Sequence, residues 1–450
     1  MKNIVIFGAG RSSSVLIDYL LKNSTSREWQ ITLCDQSEEL ALAKLAGHKN
    51  GTAHRLDIHD EQSRDVLIMK ADVVISMLPV HLHTDIAKAC LKQGKHMLSA
   101  SYVNDDIRAM ADDVEKAGLL FLKECGLDPG IDHMTAMKAI DEIRSQGGQL
   151  KGFRSYTGGL IAPESDNNPW HYKFTWNPRN VVLAGKATAR YIRHGKYKYI
   201  PYHQLFTRTD RIRVEGYGDF DGYANRDSLA YRELYGLHET ETILRGTLRR
   251  PGYCQAWQVL INLGMTDDSF TIDPAQGMTC RDFTNLFLRY DEGVSVEDKL
   301  CQYTGVDQKG ETFKALQWLG LFDSKPLPVG EGSPAHILQI ILEEKWMLKA
   351  EDKDMIVMQH IFDYEHEGAA HRLTSSMVVK GENQVHTGMA KTVGLPLGIA
   401  AKLLLEGKLN LRGVHIPIKE EIYTPVLAEL ETLGLEFSDL NERVNEPQTA

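Results

Sequence analysis

The chain begins with an apolar β-strand pattern that ends in a glycine turn and leads into a helical pattern. Lys2–Gly10 reads KNIVIFGAG, and Ser12–Asn23 has helical periodicity. This order is typical of a dinucleotide-binding βαβ unit, in which Gly8 allows a tight turn and Gly10 lets the backbone approach a pyrophosphate at the helix N-terminus. Ser13 takes the third glycine position of the G-x-G-x-x-G pattern, so a generic strand–turn–helix stays the alternative.

Strand and helix patterns alternate from Lys2 to Lys123, which predicts a parallel, doubly wound α/β sheet. Ligands of such sheets bind at the carboxyl ends of the strands. The candidate binding segments are therefore those that end or follow the predicted strands, namely Gly8–Ser13, Asp35, Asp57, Met77–Pro79, Ser99–Tyr102 and Glu124–Asp128.

Charge and cysteine usage narrow the class of protein. The formal net charge of −10 disfavours nucleic acid and anionic membranes as partners, so that an anionic substrate needs a local cluster of arginine or lysine. The six cysteines are scattered without a CxxC pair, which is typical of reduced thiols in a cytoplasmic protein. No apolar run approaches a membrane span. We therefore expect a cytoplasmic protein with a small-molecule substrate.

Asp35 is the candidate that bears on the cofactor. A carboxylate at the end of the second strand accepts both ribose hydroxyls of an adenosine and repels a 2′-phosphate. Its neighbours Cys34, Gln36 and Ser37 are not basic, so the position favours NAD over NADP. A helix N-cap or a solvated acid is an equally weighted interpretation.

Two strand ends carry candidate acid–base and hydrogen-bonding groups. Asp128 lies in the run ECGLDPGIDH, where a partly buried carboxylate has a raised pKa and exchanges protons with an amine or water. A purely structural turn is the alternative for Asp128. The Ser101–Tyr102 pair follows the preceding strand and offers donors to a substrate carboxylate, with capping and packing as the alternative.

Three further segments suggest capture of an anionic substrate. The segment Tyr156–Trp176 is rich in Gly, Pro, Asn and aromatic residues, as site-lining loops are, although a structural Ω-loop has the same composition. Asn225–Ser228 and Arg245–Arg249 add three arginines, whose planar forks bind carboxylates. Surface ion pairs are the alternative for at least one arginine. The scattered histidines lack metal-ligand spacing, and we expect no metal site.

The chain resembles the glutamate-forming saccharopine dehydrogenases, also called saccharopine reductases. The resemblance spans nearly the whole chain in order. It rests on Ser101-Tyr102-Val103, LDPGIDHM (127–134), GGLIAPESDNNPWHYKF (158–174), NRDS (225–228), RGTLR (245–249), TVGLPLGIA (392–400) and IPIKEEIYTPVLAELETLGLEF (416–437).

The resemblance implies a reversible reaction in lysine metabolism, in which saccharopine is interconverted with glutamate and 2-aminoadipate 6-semialdehyde through hydride transfer with NAD(P). Saccharopine carries three carboxylates, which accounts for the arginine and hydroxyl groups. Substrate contacts are implied for Ser101, Tyr102, Asp128, Arg226 and Thr247, with Trp176 as a wall of the site. Cofactor contacts are implied for Gly8, Ala9, Gly10, Arg11, Ser12, Ser13, Asp35, Asp57, Ile58, Leu78, Pro79 and Leu127.

The family also implies three domains and a homodimer. Combined with the composition shifts along the chain, it predicts a Rossmann domain at 1–128 that is completed by 388–450. A mixed α+β domain for substrate binding and dimerisation covers 129–252 and 351–387, and a small all-helical subdomain covers 253–350.

Two departures from the family pattern affect the site. NADP-using members carry arginine where this chain has Asp35, so the cofactor prediction is NAD, with NADP possible. The family often has cysteine at the position of Thr157, and a cysteine proton carrier is thereby excluded, which leaves Asp128 and Tyr102 as the acid–base candidates. A related carboxyalkyl-amine dehydrogenase of the carboxynorspermidine type and a non-catalytic nucleotide-sensing scaffold are the alternative functions.

Overall fold

The computed structural model describes residues 1–273, 277–327 and 331–444. Residues 274–276 and 328–330 of the predicted helical subdomain, and 445–450 of the predicted Rossmann completion, lie outside the described residues. The strands are β1 (Lys2–Phe7), β2 (Trp29–Asp35), β3 (Gly51–Arg55), β4 (Val73–Ser76), β5 (His96–Ser99), β6 (Leu120–Leu122), β7 (Gln149–Ile161), β8 (Ala189–Arg193), β9 (Lys196–Ile200), β10 (Thr209–Val214), β11 (Gly218–Ala224), β12 (Thr242–Arg249), β13 (Asp354–His366), β14 (Ala369–Lys380), β15 (Gly413–His415) and β16 (Ser438–Val444).

The helices alternate with the strands in the first part of the chain and cluster between β12 and β13. They are α1 (Ser14–Arg27), α2 (Glu38–Leu45), α3 (Glu61–Lys70), α4 (His83–Gln93), α5 (Asp105–Ala109), α6 (Ala111–Lys116), α7 (Ile131–Ser145), α8 (Pro178–Val182), α9 (Ala230–Leu234), α10 (Tyr253–Leu263), α11 (Cys280–Asn285), α12 (Val296–Thr304), α13 (Glu311–Trp318), α14 (Pro334–Trp346), α15 (Gly388–Leu405) and α16 (Glu420–Thr432).

The chain forms two compact units. The first comprises Met1–Gln149 and Met377–Ser438. The second comprises Leu150–Ser376 and the described part of Asp439–Ala450. The predicted fold class, a doubly wound Rossmann sheet with a mixed α+β part and a helical part, is confirmed by these elements. The residue boundaries of the three domains stay a prediction.

The first unit contains a seven-stranded sheet with the order β15-β6-β5-β4-β1-β2-β3. Its six neighbouring strand pairs are all parallel, and β1 lies between β2 and β4. Central strands such as Val73–Ser76 are buried along their whole length, because helices cover both faces of a parallel sheet. The loops after β1, β4, β5 and β6 therefore lie at one edge, the carboxyl edge.

Helix α15 returns the C-terminal part of the chain to α1. It is long and apolar enough to span a membrane by length and composition, and 78% of its apolar window is buried within the fold. A Cβ added at Gly394 would lie 2.8 Å from the backbone nitrogen of Leu16. One added at Gly398 would lie 2.6 Å from the Tyr19 ring. Glycine thus lets α15 pack directly on α1, as a core helix does.

The second unit is built on a nine-stranded mixed sheet. Its main path runs β10-β11-β12-β7-β13-β14-β16, and the β8–β9 hairpin branches from β12. The pair β12–β7 is parallel, whereas β11–β12 is antiparallel. An aromatic core of Trp170, Tyr253, Trp257 and Trp346 joins the loop after β7 to α10 and α14. The described residues between α10 and α14 contribute helices and no sheet strand.

Candidate active site

The glycine loop after β1 has the geometry of a phosphate-binding turn. Gly8 has φ 104°, and a Cβ there would lie 3.0 Å from the Met77 carbonyl oxygen. A Cβ at Gly10 would meet nothing within 4 Å, so the loop leaves room for a ligand next to the backbone. Ser13 is buried, and its hydroxyl donates to the Gly10 carbonyl at 2.8 Å. The absent third glycine is thus replaced by a serine that bonds within the turn.

Asp35 holds this loop in place. Its Oδ2 accepts a hydrogen bond from the Ala9 backbone N–H at 2.7 Å, and its Oδ1 accepts from the Ser37 N–H at 3.0 Å. Ser37 in turn caps α2 by accepting from the Leu40 N–H. Both carboxylate oxygens of Asp35 are therefore engaged by backbone amides, and the residue is part of the loop's scaffold.

The other predicted cofactor residues flank the same sheet edge in different ways. Asp57 follows β3 and accepts from the His59 N–H at 3.0 Å, while Ile58 is buried in the core. Leu78 packs against that core, and Pro79 precedes a 3-10 turn that leads into α4. Arg11 is exposed, and Ser12 is half-buried, at the start of the helical segment after the loop. Leu127 is buried beyond β6.

The ends of β5 and β6 bring together the predicted Ser101, Tyr102 and Asp128. All three are half-buried. The Ser101 hydroxyl lies 2.7 Å from Nε2 of buried His83. Asp128 lies in a tight turn closed by the Ile131 N–H, which donates to the Gly126 carbonyl at 2.8 Å.

Two buried titratable groups next to these strand ends were not predicted. Lys123 follows β6, is fully buried, and its ammonium nitrogen has no hydrogen-bond partner among the described residues. Burial lowers the pKa of Lys123 to about 7, against the attraction of Glu124. Burial, with the nearby charge of Lys123, lowers the pKa of His83 to about 3. The imidazole of His83 is therefore neutral at physiological pH.

In the second unit, Arg226 lies in a loop that is fixed to the sheet. Arg226 is exposed and has φ 47°, a left-handed conformation that is uncommon outside glycine. Its carbonyl accepts from the Arg190 N–H at 2.8 Å. The Asn225 N–H donates to the Arg245 carbonyl at 2.8 Å, and the Arg245 N–H donates to the Ser228 hydroxyl at 2.9 Å. The NRDS segment is thus anchored to β12.

The predicted substrate residues Thr247 and Trp176 both belong to the second unit. Thr247 on β12 is half-buried and is paired in register with Tyr223 on β11 and Thr157 on β7. The Thr157 hydroxyl oxygen is buried without a partner among the described residues. Trp176 packs, half-buried, against the aromatic core.

Arg249 is the residue of this unit that the sequence analysis undervalued. It is 4% exposed, and its guanidinium lies 5.1 Å from the Tyr172 ring, 5.2 Å from the Tyr253 ring and 5.9 Å from the Tyr223 ring. One Nη donates to the Leu248 carbonyl at 2.9 Å, and Nε has no hydrogen-bond partner within the part of the chain that the structure describes. No carboxylate of the described residues pairs with it. The RGTLR pattern contained this arginine, but only the fold shows that its charge is buried.

The sheet order and the glycine loop define the chain as a Rossmann-type dinucleotide-binding protein. Residues 4–122 match the family described as "Saccharopine dehydrogenase NADP binding domain", and residues 126–435 match "Saccharopine dehydrogenase C-terminal domain". The chain belongs to the saccharopine dehydrogenase family. The predicted resemblance is thereby confirmed.

Two fungal relatives are similar to this chain over nearly its full length. It is 33% identical to "Saccharopine dehydrogenase [NADP(+), L-glutamate-forming]" of Schizosaccharomyces pombe, over 98% of this chain and 99% of the relative. It is 34% identical to the Saccharomyces cerevisiae protein of the same description, over 96% and 97%. The solved apo structure of saccharopine dehydrogenase (L-Glu forming) from S. cerevisiae superposes with a TM-score of 0.88 at 30% identity, covering 98% of this chain and all of that one.

The prediction that Asp35 favours NAD is wrong. The matching N-terminal family is an NADP-binding domain, and the names of the fungal relatives specify NADP(+). The physical reason lies in the hydrogen bonds of Asp35, whose two oxygens accept from the backbone of Ala9 and Ser37. A carboxylate at this position is therefore explained by loop structure and does not report on the adenosine ribose.

Proposed function

We propose that this protein is an L-glutamate-forming saccharopine dehydrogenase that uses NADP(H). In the oxidative direction, saccharopine, NADP+ and water would give glutamate, 2-aminoadipate 6-semialdehyde, NADPH and a proton. Family membership over nearly the whole chain supports this activity. The observation that carries the substrate class is Arg249, a buried cation with no acidic partner among the described residues.

A buried guanidinium without a counter-charge is costly unless a ligand supplies one. The three tyrosine rings around Arg249 offer cation–π contacts but no negative charge. A carboxylate offers two oxygens that match the guanidinium fork. A substrate with three carboxylates therefore suits a unit that buries Arg249 and holds Arg226 on an anchored loop.

The residues of the first unit fit NADP at the glycine loop. Gly8 makes the tight turn against Met77, Gly10 leaves the backbone open, and Asp35 fixes Ala9 between them. NADP+ held there would supply the hydride acceptor for the substrate carbon next to the nitrogen. Asp128 and Tyr102 remain our candidates for the groups that take up the amine proton and direct water during imine hydrolysis.

The activity is tested by mixing purified protein with saccharopine and either NADP+ or NAD+ and following reduced nicotinamide at 340 nm. We expect reduction with NADP+ and a lower kcat/KM with NAD+. A carboxynorspermidine substrate, which has fewer carboxylates, should react at least tenfold more slowly in kcat/KM. Absence of reduction with saccharopine and both cofactors would contradict the proposed function.

The role of Asp128 is tested with Asp128→Asn, which keeps the size of the side chain and removes its basicity. We expect kcat for saccharopine oxidation to fall by about 10²–10⁴-fold, the usual contribution of a general base. Titration of NADP+ binding by protein fluorescence is the control and should be unchanged. An unchanged kcat and pH profile would remove Asp128 from the mechanism.

The remaining expectations concern assembly and location. We infer a homodimer in the cytoplasm, with residues 129–252 and 351–387 contributing the dimer contacts, from the resemblance to the family. Light scattering coupled to gel filtration gives the mass directly. A mass of one 50.6 kDa chain would contradict the dimer.

A further inference from the structure

The loop Ser101–Val103 carries two of the predicted substrate residues and has no regular structure. It leaves the end of β5 and precedes α5, so that neither a strand ladder nor a helix fixes its backbone. A loop that positions Ser101 and Tyr102 therefore needs hydrogen bonds from elsewhere, since small displacements of a substrate-contacting group are costly in rate.

Glu124, which follows β6, bonds to both ends of this loop. Its backbone N–H donates to the Ser101 carbonyl at 3.1 Å. Its side-chain Oε1 accepts from the Val103 N–H at 3.0 Å. Tyr102 lies between these two bonds. The backbone and the side chain of Glu124 therefore limit the movement of Tyr102 from both directions.

The Glu124 carboxylate is itself held by helix α7. Its Oε2 lies 2.8 Å from Nε2 of His133, whose side chain is fully buried, while the side chain of Glu124 is 9% exposed. Both carboxylate oxygens are thus engaged, one by the loop and one by the helix. The loop is connected to a rigid element of the fold through Glu124.

The backbone of Glu124 is also unusual. Its φ is 56°, in the left-handed region, where non-glycine residues are uncommon and persist only when their surroundings over-determine them. Glycine is the residue that adopts this conformation without strain. The chain keeps a buried glutamate at a position suited to glycine, so the side chain has a function that outweighs the strain.

A second contact restrains the same loop. The Ser101 hydroxyl bonds to His83 on α4, and the Ser101 N–H donates to the Ser99 hydroxyl at 3.2 Å. These bonds fix the Ser101 end alone. On the far side of Tyr102, Glu124 holds the Val103 amide, and the next residue, Asn104, is held by capping α5.

We propose that Glu124 is a positioning residue for the reaction, because it fixes the Ser101–Val103 loop and with it the Tyr102 side chain that meets the substrate. This inference rests on the proposed function for the identity of the substrate. It does not require Glu124 to touch substrate or cofactor. A direct consequence of this proposal is that the Val103 amide is protected from hydrogen exchange, which can be measured without turnover.

The test variant is Glu124→Gly, which removes the carboxylate and suits the left-handed backbone, so that folding is preserved. Its matched control is Asp72→Gly at the opposite, amino edge of the same sheet. The Asp72 carboxylate likewise accepts a backbone hydrogen bond, from Asn3 at 2.7 Å, but lies outside the site. We expect Glu124→Gly to lower kcat for saccharopine about 10–100-fold, with unchanged NADP+ binding, and Asp72→Gly to keep the wild-type kcat.

Glu124→Gln tests the bonding pattern. Its amide oxygen can accept from Val103, while its NH₂ group then faces His133, which has to accept with Nε2. We expect this variant to keep at least half of the wild-type kcat. A Gln variant as impaired as the Gly variant, or equal losses in the Asp72→Gly control, would overturn the proposal.

Hydrogen–deuterium exchange of a peptide covering the Ser101–Val103 loop separates this inference from the proposed function. We expect at least tenfold faster exchange of the Val103 amide in Glu124→Gly and no change in Asp72→Gly. Unchanged exchange in Glu124→Gly would overturn the inference. A wild-type enzyme that does not oxidise saccharopine would contradict the proposed function, and the exchange result would still decide whether Glu124 holds the loop.

Discussion

Lys123→Met is a perturbation of the first unit whose effect on stability depends on pH in a calculable way. Lys123 is fully buried after β6, and its ammonium nitrogen has no hydrogen-bond partner among the described residues. Methionine has a similar length and carries no charge, so it fills the same space. The substitution therefore removes a titrating group while changing the packing little.

The magnitude follows from the pKa of the buried amine. Burial lowers the pKa of Lys123 from 10.5 to about 7, with the charge of Glu124 opposing the change. At about 1.4 kcal/mol for each pKa unit, this difference makes the charged amine about 5 kcal/mol less stable in the folded protein than in the unfolded chain.

The sign depends on which state binds more protons. Between pH 7 and 10.5 the unfolded chain carries the proton on Lys123 and the folded protein does not, so stability of the wild type rises with pH through this window. The destabilisation is fully present below pH 7 and vanishes above 10.5. We therefore expect Lys123→Met to stabilise the protein by about 5 kcal/mol at pH 6.5, about 2 at pH 9 and close to zero at pH 10.5.

Urea unfolding followed by far-UV circular dichroism at these pH values measures the difference between variant and wild type. Lys88→Met, which removes an exposed lysine on α4, is the control and should change stability by less than about 0.5 kcal/mol at every pH. A stabilisation by Lys123→Met that stays constant with pH, or a destabilised variant at pH 6.5, would refute the reasoning.

Three other substitutions have expected outcomes. Gly8→Ala places a Cβ 3.0 Å from the Met77 carbonyl at a φ of 104°, and should weaken NADP+ binding in a fluorescence titration by about tenfold. Arg249→Met should raise KM for saccharopine about 10–100-fold with an unchanged KM for NADP+, and equal changes in both would contradict the substrate role. Gly394→Ala gains about 1 kcal/mol of helix propensity but forces a Cβ to 2.8 Å from the Leu16 nitrogen. Calorimetry should therefore show that the free energy of unfolding falls by about 1–2 kcal/mol.

The sequence predicted the first sheet well because its signals are local. The predicted segments Gly8–Ser13 and Met77–Pro79 directly follow β1 and β4, which are apolar runs, and Ser99–Tyr102 begins at the last residue of β5. In a parallel sheet such runs are buried on both faces, which makes them continuous and easy to recognise. The carboxyl ends of the strands follow from the strand positions, so the candidate site segments were also predictable.

Side-chain partners were not predictable, because they are distant in sequence. Asp35 bonds to Ala9 across 26 positions, and Glu124 bonds to Val103 across 21. Asp132, in the first turn of α7, accepts from the Gly130 N–H at 2.6 Å. Each of these carboxylates satisfies a backbone donor whose position is set by the folded loop.

This difference explains why the cofactor prediction was wrong while the family prediction was confirmed. The family was recognised from long motifs in order, in which the identity of each residue is the signal. The cofactor was inferred from one carboxylate by assigning it a ligand as partner. At the end of a strand, a carboxylate has two competing partners, a ligand hydroxyl or a nearby backbone N–H, and an unpaired buried N–H costs about 1–3 kcal/mol. Asp35 and Glu124 each accept a hydrogen bond from a backbone N–H. A carboxylate of this kind affects a ligand indirectly, because it holds the loop that contacts the ligand.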